Sequence, residues 1–204
     1  MGSIIARGNK VVPASPQLWQ YSDMLTPAEA IAAELRRVFP AVRDKPFLPL
    51  VNSTQGLEPF EIAEEFKDKD DWIKLEADWL DHVPNGLGSA LSFLSDKAIC
   101  FYIPAFLRAD LEGRLGHVDP TFHLCHGFDD LSRGHRIRPR DEATWTDYGQ
   151  ARWAGLAKDQ ATAIVHYLEW RIERDGPDIA YSCVQALRAY WYERAAGVGT
   201  DGRA

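Results

Sequence analysis

The chain is poor in the features that mark secreted or membrane proteins. Its 204 residues include only three cysteines, an odd number with no Cys-x-x-Cys spacing, whereas secreted domains of this size usually carry an even disulfide set. No apolar run approaches the roughly 18–20 residues of a membrane-spanning helix. The N-terminus lacks an apolar segment of signal-peptide length. We therefore predict a cytoplasmic protein with no membrane partner.

Positive charge is also scarce. Lysine and arginine together number 23 against 30 aspartates and glutamates, which gives a formal net charge of −7. This balance argues against nucleic acid as the main partner. Hydrophobic residues make up 46% of the chain and include seven tryptophans, seven tyrosines and nine phenylalanines. A chain of this composition folds around a core rather than remaining disordered.

The hydrophobic pattern predicts a mainly α protein, a single compact helical domain of about six helices with at most a small β element. We place this domain at residues 25–195, between an extended arm over residues 1–24 and a frayed tail over residues 196–204. The predicted helices begin with one opened by a Thr26-Pro27-Ala28-Glu29 capping box, and the others cover about residues 58–66, 70–81, 96–111, 156–174 and 178–195.

Two parts of the pattern predict no long helix. Phe122–Phe128 reads as a short strand, and residues 129–155 form a long polar connection without a clear element. By contrast, the helix over residues 96–111 is apolar on almost every side, which is typical of a buried helix.

Several of these segments occur in an order that resembles a known bacterial family. The order is Leu91-Ser92-Phe93-Leu94-Ser95, then Tyr102-Ile103-Pro104-Ala105-Phe106-Leu107, then a helix with Gln160 near its start. It is similar to a family filed as a domain of unknown function, with an L-x-F-L-[ST] stretch before an aromatic-x-P-A-aromatic-L helix, and the resemblance runs from Leu25 to Arg174. It implies a fold but no activity, cofactor or site residue. Compared with a minimal member, the arm, the 129–155 connection and the last helix look like additions.

The most distinctive local feature is the clustering of acids between Glu58 and Asp81. This stretch holds ten carboxylates and three lysines, so it carries as much net charge as the whole chain. Such a surface either serves solubility or attracts a basic partner through long-range electrostatics. The residues we predict to bind such a partner are Glu61, Glu64, Glu65, Asp68, Asp70, Asp71 and Asp78.

A second cluster places His117, His123, Cys125 and His126 within ten residues. Imidazole and thiolate suit zinc, although the spacing matches no standard zinc signature. On a strand, His123 and Cys125 would share one face, which also makes Cys125 beside a histidine a thiol–imidazole candidate. These four residues are therefore weak metal candidates, and ordinary half-buried histidines are the simpler interpretation.

A basic loop with following aromatic residues forms a third cluster. Arg136 and Arg138 could bind an anion or neutralise part of the acidic face, while Trp145 and Tyr148 could anchor the loop or form an exposed hot spot. We predict these four residues as a secondary interface.

The residues assemble no clear catalytic set. The sequence contains no G-x-S-x-G motif and no phosphate-binding glycine loop, and we assign no catalytic residue and no cofactor. The leading hypothesis is a non-enzymatic protein-binding module, most concretely a bacterial immunity or antitoxin-type protein. It would occlude a basic toxin, encoded nearby, through its acidic helical face. The alternative is a small metal-dependent or thiol enzyme that uses the histidine–cysteine cluster.

Overall fold

The computed structural model describes residues 25–43, 45, 49–140 and 142–197. The predicted arm over residues 1–24 and most of the predicted tail lie outside these residues. The prediction of a mainly α fold is confirmed, because helices dominate and the described residues contain only isolated β-bridges. The α-helices are α1 (Pro27–Val38), α2 (Glu58–Phe66), α3 (Ala77–His82), α4 (Ala90–Phe93), α5 (Asp96–Leu111), α6 (Pro120–Cys125), α7 (Trp145–Trp153), α8 (Lys158–Asp175), α9 (Tyr181–Ala186) and α10 (Tyr192–Ala196).

The first helix begins where its capping residues predict. The Thr26 hydroxyl accepts a hydrogen bond from the Glu29 backbone, and the Glu29 carboxylate accepts one from the Thr26 backbone at 2.7 Å. Both interactions satisfy backbone N–H groups that a helix leaves unpaired at its start. The sequence therefore fixes this boundary locally.

Helix α5 forms the centre of the core, as its apolar sequence predicts. Every residue from Phe101 to Leu111 is buried, and the helix continues through Pro104. It contacts α1, α3, α6 and α7, so these shorter helices are positioned by packing against one buried scaffold.

Polar groups inside this core are joined into a network. Tyr167 of α8 donates to Asp110 of α5 at 2.6 Å, and Arg171 donates to the same carboxylate at 2.9 Å. Arg171 also contacts Asp119, directly before α6, at 3.2 Å. Buried charges are tolerated when they are paired in this way, and the pairing fixes α6 relative to α5 and α8.

The structure corrects the predictions for the middle of the chain. The predicted strand over Phe122–Phe128 is wrong, because its first half belongs to α6, which starts at Pro120 behind the capping residue Asp119. Residues 129–155 contain helix α7. The predicted helix over residues 70–81 is divided into a 3₁₀ turn at Trp72–Lys74 and α3, with Leu75 and Glu76 extended between them.

The last helical segment runs without interruption from α9 to α10 through a π-helical turn, Leu187–Trp191. Trp191 in this turn is fully buried and donates to the Leu124 carbonyl oxygen at 2.9 Å. Among the described helices, none combines the length and the apolar character needed to cross a membrane.

Candidate functional site: an acidic groove and a histidine–arginine pocket

The structure gathers part of the acidic stretch around a groove of about 480 Å³. The groove lies between the end of α2, the 3₁₀ turn and α3, and we call it the acidic groove. Its lining contains four acids, two lysines, an aliphatic residue and a tryptophan, namely Asp68, Asp70, Asp71, Glu76, Lys69, Lys74, Leu75 and Trp79.

Trp79 is held in place at this groove by charged neighbours. Its indole N–H donates to Glu65 at 3.3 Å, and the Lys69 ammonium lies 5.3 Å from its ring centroid. The ring also packs on Phe66 of the core, with 4.9 Å between the centroids. A half-buried aromatic ring is thus fixed among carboxylates.

Several of the predicted partner-binding acids are engaged locally. Asp70 forms an ion pair with Arg43, and Glu64 forms one with Lys67. Asp71 caps the 3₁₀ turn through the Ile73 backbone at 3.0 Å. These contacts reduce the field that the acids project outward.

The seven predicted acids therefore do not form a single site. Asp68, Asp70 and Asp71 line the acidic groove, and Glu65 lies at its edge through Trp79. Glu61 and Glu64 of α2 and Asp78 of α3 are outside its lining. Glu76 lines the groove although the sequence analysis did not select it.

A second concave site lies where α6 and α7 meet the end of α4. It encloses about 250 Å³, and we call it the histidine–arginine pocket. The lining combines aromatic rings, two imidazoles, one guanidinium and two hydroxyls, from Ser92, Phe122, His123, His126, Trp145, Tyr148, Gly149, Arg152 and Trp153.

Arg152 is the charged group of this pocket. Only 7% of its side chain is exposed, and its Nη2 donates to the Tyr148 hydroxyl at 2.6 Å. Its Nε is buried and makes no hydrogen bond within the described residues, although an Asp96 oxygen lies 3.5 Å away. The pocket thus contains a largely buried cation with donor capacity to spare.

The pocket histidines are neutral near pH 7. Burial lowers the pKa of His123 to about 4, and the positive charge of Arg152 acts in the same direction. Burial and Arg152 also lower the pKa of His126. Both effects penalise the imidazolium form, so the imidazoles offer one donor and one acceptor nitrogen each.

The predicted histidine–cysteine cluster is divided among three places. His123 and His126 line the pocket, but the Cys125 thiol is buried 3.9 Å from the Cys183 sulfur. That contact and burial raise the pKa of Cys125 well above its ordinary value. His117 lies against Asp81 instead. The proposed thiol–imidazole pair does not form, because a helix turns His123 and Cys125 to different sides.

Asp81, His82 and His117 together bring three possible metal-ligand atoms to within 4.8 Å of one another. However, the Asp81 carboxylate accepts hydrogen bonds from the backbones of Gly116, His117 and Val118 and from the His117 ring, all at 2.9 Å. Burial opposes ionisation of Asp81, but these four donors outweigh it and hold its pKa well below the usual range. This donor set does not fit a metal, because the carboxylate already joins α3 to the segment before α6.

The predicted secondary interface is also divided. Trp145 and Tyr148 begin α7 and form a wall of the pocket. Arg136 and Arg138 are exposed on the preceding loop, where Arg136 donates to the Pro139 carbonyl oxygen at 3.3 Å.

Sequence reasoning missed Arg152 because it found no helix at residues 145–153. The Thr144-x-x-Asp147 spacing was the available signal, since Thr144 and Asp147 form a capping box in the structure. A helix starting there places Tyr148 and Arg152 on one face, four residues apart.

Comparison with known proteins identifies the family of the chain. No curated protein and no solved structure matches it. The profile of a group described as a family of unknown function, DUF6714, matches residues 29–195. The matched range includes the 129–155 connection and the last helix, which we had expected to be additions. Because the match covers most of the chain, as the sequence resemblance predicted, this protein belongs to the DUF6714 family.

Proposed function

We propose that this protein is a protein-binding module that receives a basic partner at the acidic groove. The observation that carries the proposal is the placement of four carboxylates around a fixed, half-buried tryptophan in a groove of about 480 Å³. Aromatic rings surrounded by polar groups are typical anchors of protein interfaces.

Charge complementarity indicates the chemistry of the partner. Carboxylates outnumber ammonium groups in the groove. Lys74 pairs with Asp71 at 3.1 Å, whereas Asp68 and Glu76 form no ion pair within the described residues. A lysine or arginine side chain from a partner could form ion pairs with Asp68 and Glu76 while its aliphatic stem packs on Trp79. Such contacts accelerate encounter and favour basic partners over acidic ones.

The most concrete form of the proposal is an immunity or antitoxin-type protein. Toxins that act on nucleic acid present basic clefts, because their substrates are polyanions. A row of exposed carboxylates can occupy such a cleft in place of phosphates. The toxin would be encoded by a gene next to that of this chain.

The experiment is co-purification of this protein with the product of the neighbouring gene at low and high salt. The charge-reversed variant is Asp68→Lys with Glu76→Lys. Its matched control is Glu142→Lys with Glu173→Lys, since both of these glutamates are exposed and lie outside the groove.

We expect the groove variant to bind at least about tenfold more weakly than the control. Both variants should keep their stability within about 0.5 kcal/mol, because surface charges contribute little to folding. High salt should weaken the wild-type complex, since it screens exposed charges. Equal binding by the two variants, or no complex at low salt, would contradict the proposal.

A further inference from the structure

The strongest unexplained feature outside the acidic groove is the donor capacity left at Arg152. A guanidinium has five N–H donors. Within the described residues, the Arg152 guanidinium donates a single hydrogen bond, from Nη2 to the Tyr148 hydroxyl. The neighbouring Asp96 is half exposed and approaches Nε only to 3.5 Å. Buried polar groups are nearly always hydrogen-bonded, so Arg152, which lines the pocket, has donor capacity that an acceptor bound there could use.

Other polar groups of the pocket are also unused. Within the described part of the chain, the ring nitrogens of the half-buried His123 and His126 and the exposed Ser92 hydroxyl form no hydrogen bond to another residue, and all three residues line the pocket. Neutral imidazoles and a hydroxyl can each donate to an oxygen atom. These groups therefore add possible donors to the same pocket that Arg152 lines, as an anion that needs several donors requires.

The pocket is lined by aromatic rings that pack on one another. Phe122 stacks on His126 with 5.3 Å between the ring centroids and 25° between the planes. Trp145 meets the His126 ring at 65°, with 4.6 Å between the centroids. A lining rich in aromatic rings, which also includes Tyr148 and Trp153, favours an aromatic or unsaturated group over an aliphatic one.

We propose that the histidine–arginine pocket binds a small carboxylate carried on a flat aromatic or unsaturated body. Arg152 supplies the charge-assisted hydrogen bonds to the carboxylate, and the ring walls hold the body of the ligand. The volume of about 250 Å³ admits a molecule with a single ring. A phosphate dianion fits less well, because Arg152 is the one permanent cation in the lining.

The experiment uses the whole protein and benzoate as the probe, with acetate and inorganic phosphate as separate arms. Binding is followed by calorimetry and by NMR of the histidine rings. We expect benzoate to bind more tightly than acetate, because the ring walls contribute, and phosphate to bind least. Tightest binding of phosphate would overturn the assignment to carboxylates, and absence of benzoate binding at millimolar concentration would overturn the site.

The matched variants are Arg152→Gln in the pocket and Arg136→Gln on the exposed loop, which remove the same charge. Loss of a charged hydrogen bond should weaken benzoate binding by about tenfold or more in Arg152→Gln, and Arg136→Gln should bind like the wild type. Equal affinity of the two variants would place benzoate elsewhere.

The pKa of His123 in the wild-type protein provides a second test, which remains usable if Arg152→Gln does not fold. Arg152 and His126 act on His123 with positive charge, while Asp119 acts on it with negative charge. A bound carboxylate adds negative charge beside the ring and should raise the pKa of His123. An unchanged His123 titration in saturating benzoate would overturn the proposal.

Discussion

The acidic groove and the histidine–arginine pocket use charge in opposite ways. In the groove, Asp70 and Asp71 each have a cation within reach, so much of their charge is compensated by the chain itself. In the pocket, a single arginine is largely buried with an unused donor. Charge counting along the sequence finds the first region and overlooks the second. Buried hydrogen-bond donors without an acceptor therefore indicate a binding site better than the number of charged residues does.

The two regions should also differ in their contribution to the stability of the core. A pair of tryptophan substitutions measures that difference. Trp153 at the pocket is fully buried, so Trp153→Ala should lower the free energy of unfolding by about 3–5 kcal/mol. Trp79 at the groove is half-buried, and Trp79→Ala should cost less than about 2 kcal/mol. Urea unfolding of both variants checks this, and equal losses would show that the groove is as deeply integrated as the pocket.

Acid should weaken the pocket before it affects the carboxylates of the fold. The pKa of His123 is lowered to about 4, so its protonation favours the unfolded chain, where the pKa is near 6.5. Stability should therefore fall as the pH drops from about 6.5 toward 4, by on the order of 2 kcal/mol. Asp81, whose pKa is also lowered, should cause a separate loss only below about pH 4.

His123→Asn should remove the contribution of His123 to the first of these losses, because an asparagine side chain does not titrate, and leave only the contribution of His126. The measurement is urea unfolding at about pH 7 and pH 4.5. His135→Asn is the matched control because His135 is exposed on the loop before α7. A wild-type pH dependence in His123→Asn would mean that another group is responsible.

The smallest expected effect comes from removing the N-terminal caps of two helices, α7 at the pocket and α1 away from it. Thr144 caps α7 and Thr26 caps α1, each within a capping box. Replacing either by Ala should cost about 1 kcal/mol. Hydrogen exchange should accelerate in α7 for Thr144→Ala and in α1 for Thr26→Ala. Faster exchange in α7 in both variants would show that the pocket wall depends on the whole fold rather than on its own cap.

The sequence predicted those parts of the fold that depend on local signals or strong periodicity. The Thr26 cap and the continuous apolar run of α5 were correctly placed for these reasons. Helix α6 has only six residues, which is too short to distinguish a helical from an alternating pattern. The signal at its start, Asp119 followed by Pro120, indicates a helix but does not reveal its length.

The candidate sites were less predictable, because they depend on distant segments. Strand alternation placed His123 beside Cys125, whereas the helix separates them and brings His123 to Trp145 and Arg152 across the pocket. Pairing of Asp70 with Arg43 joins residues far apart in the chain. Neither juxtaposition is visible without knowing how the helices pack on α5.

The carboxylate of Asp81 gives the two regions a mechanical link. It lies two residues from Trp79 on α3, and it gathers three successive backbone N–H groups of the segment that leads into α6. Asp81 therefore ties the helix that carries the groove tryptophan to the segment that leads into α6, which carries Phe122 and His123 of the pocket. The two regions thus share one rigid connection in addition to their common packing on α5.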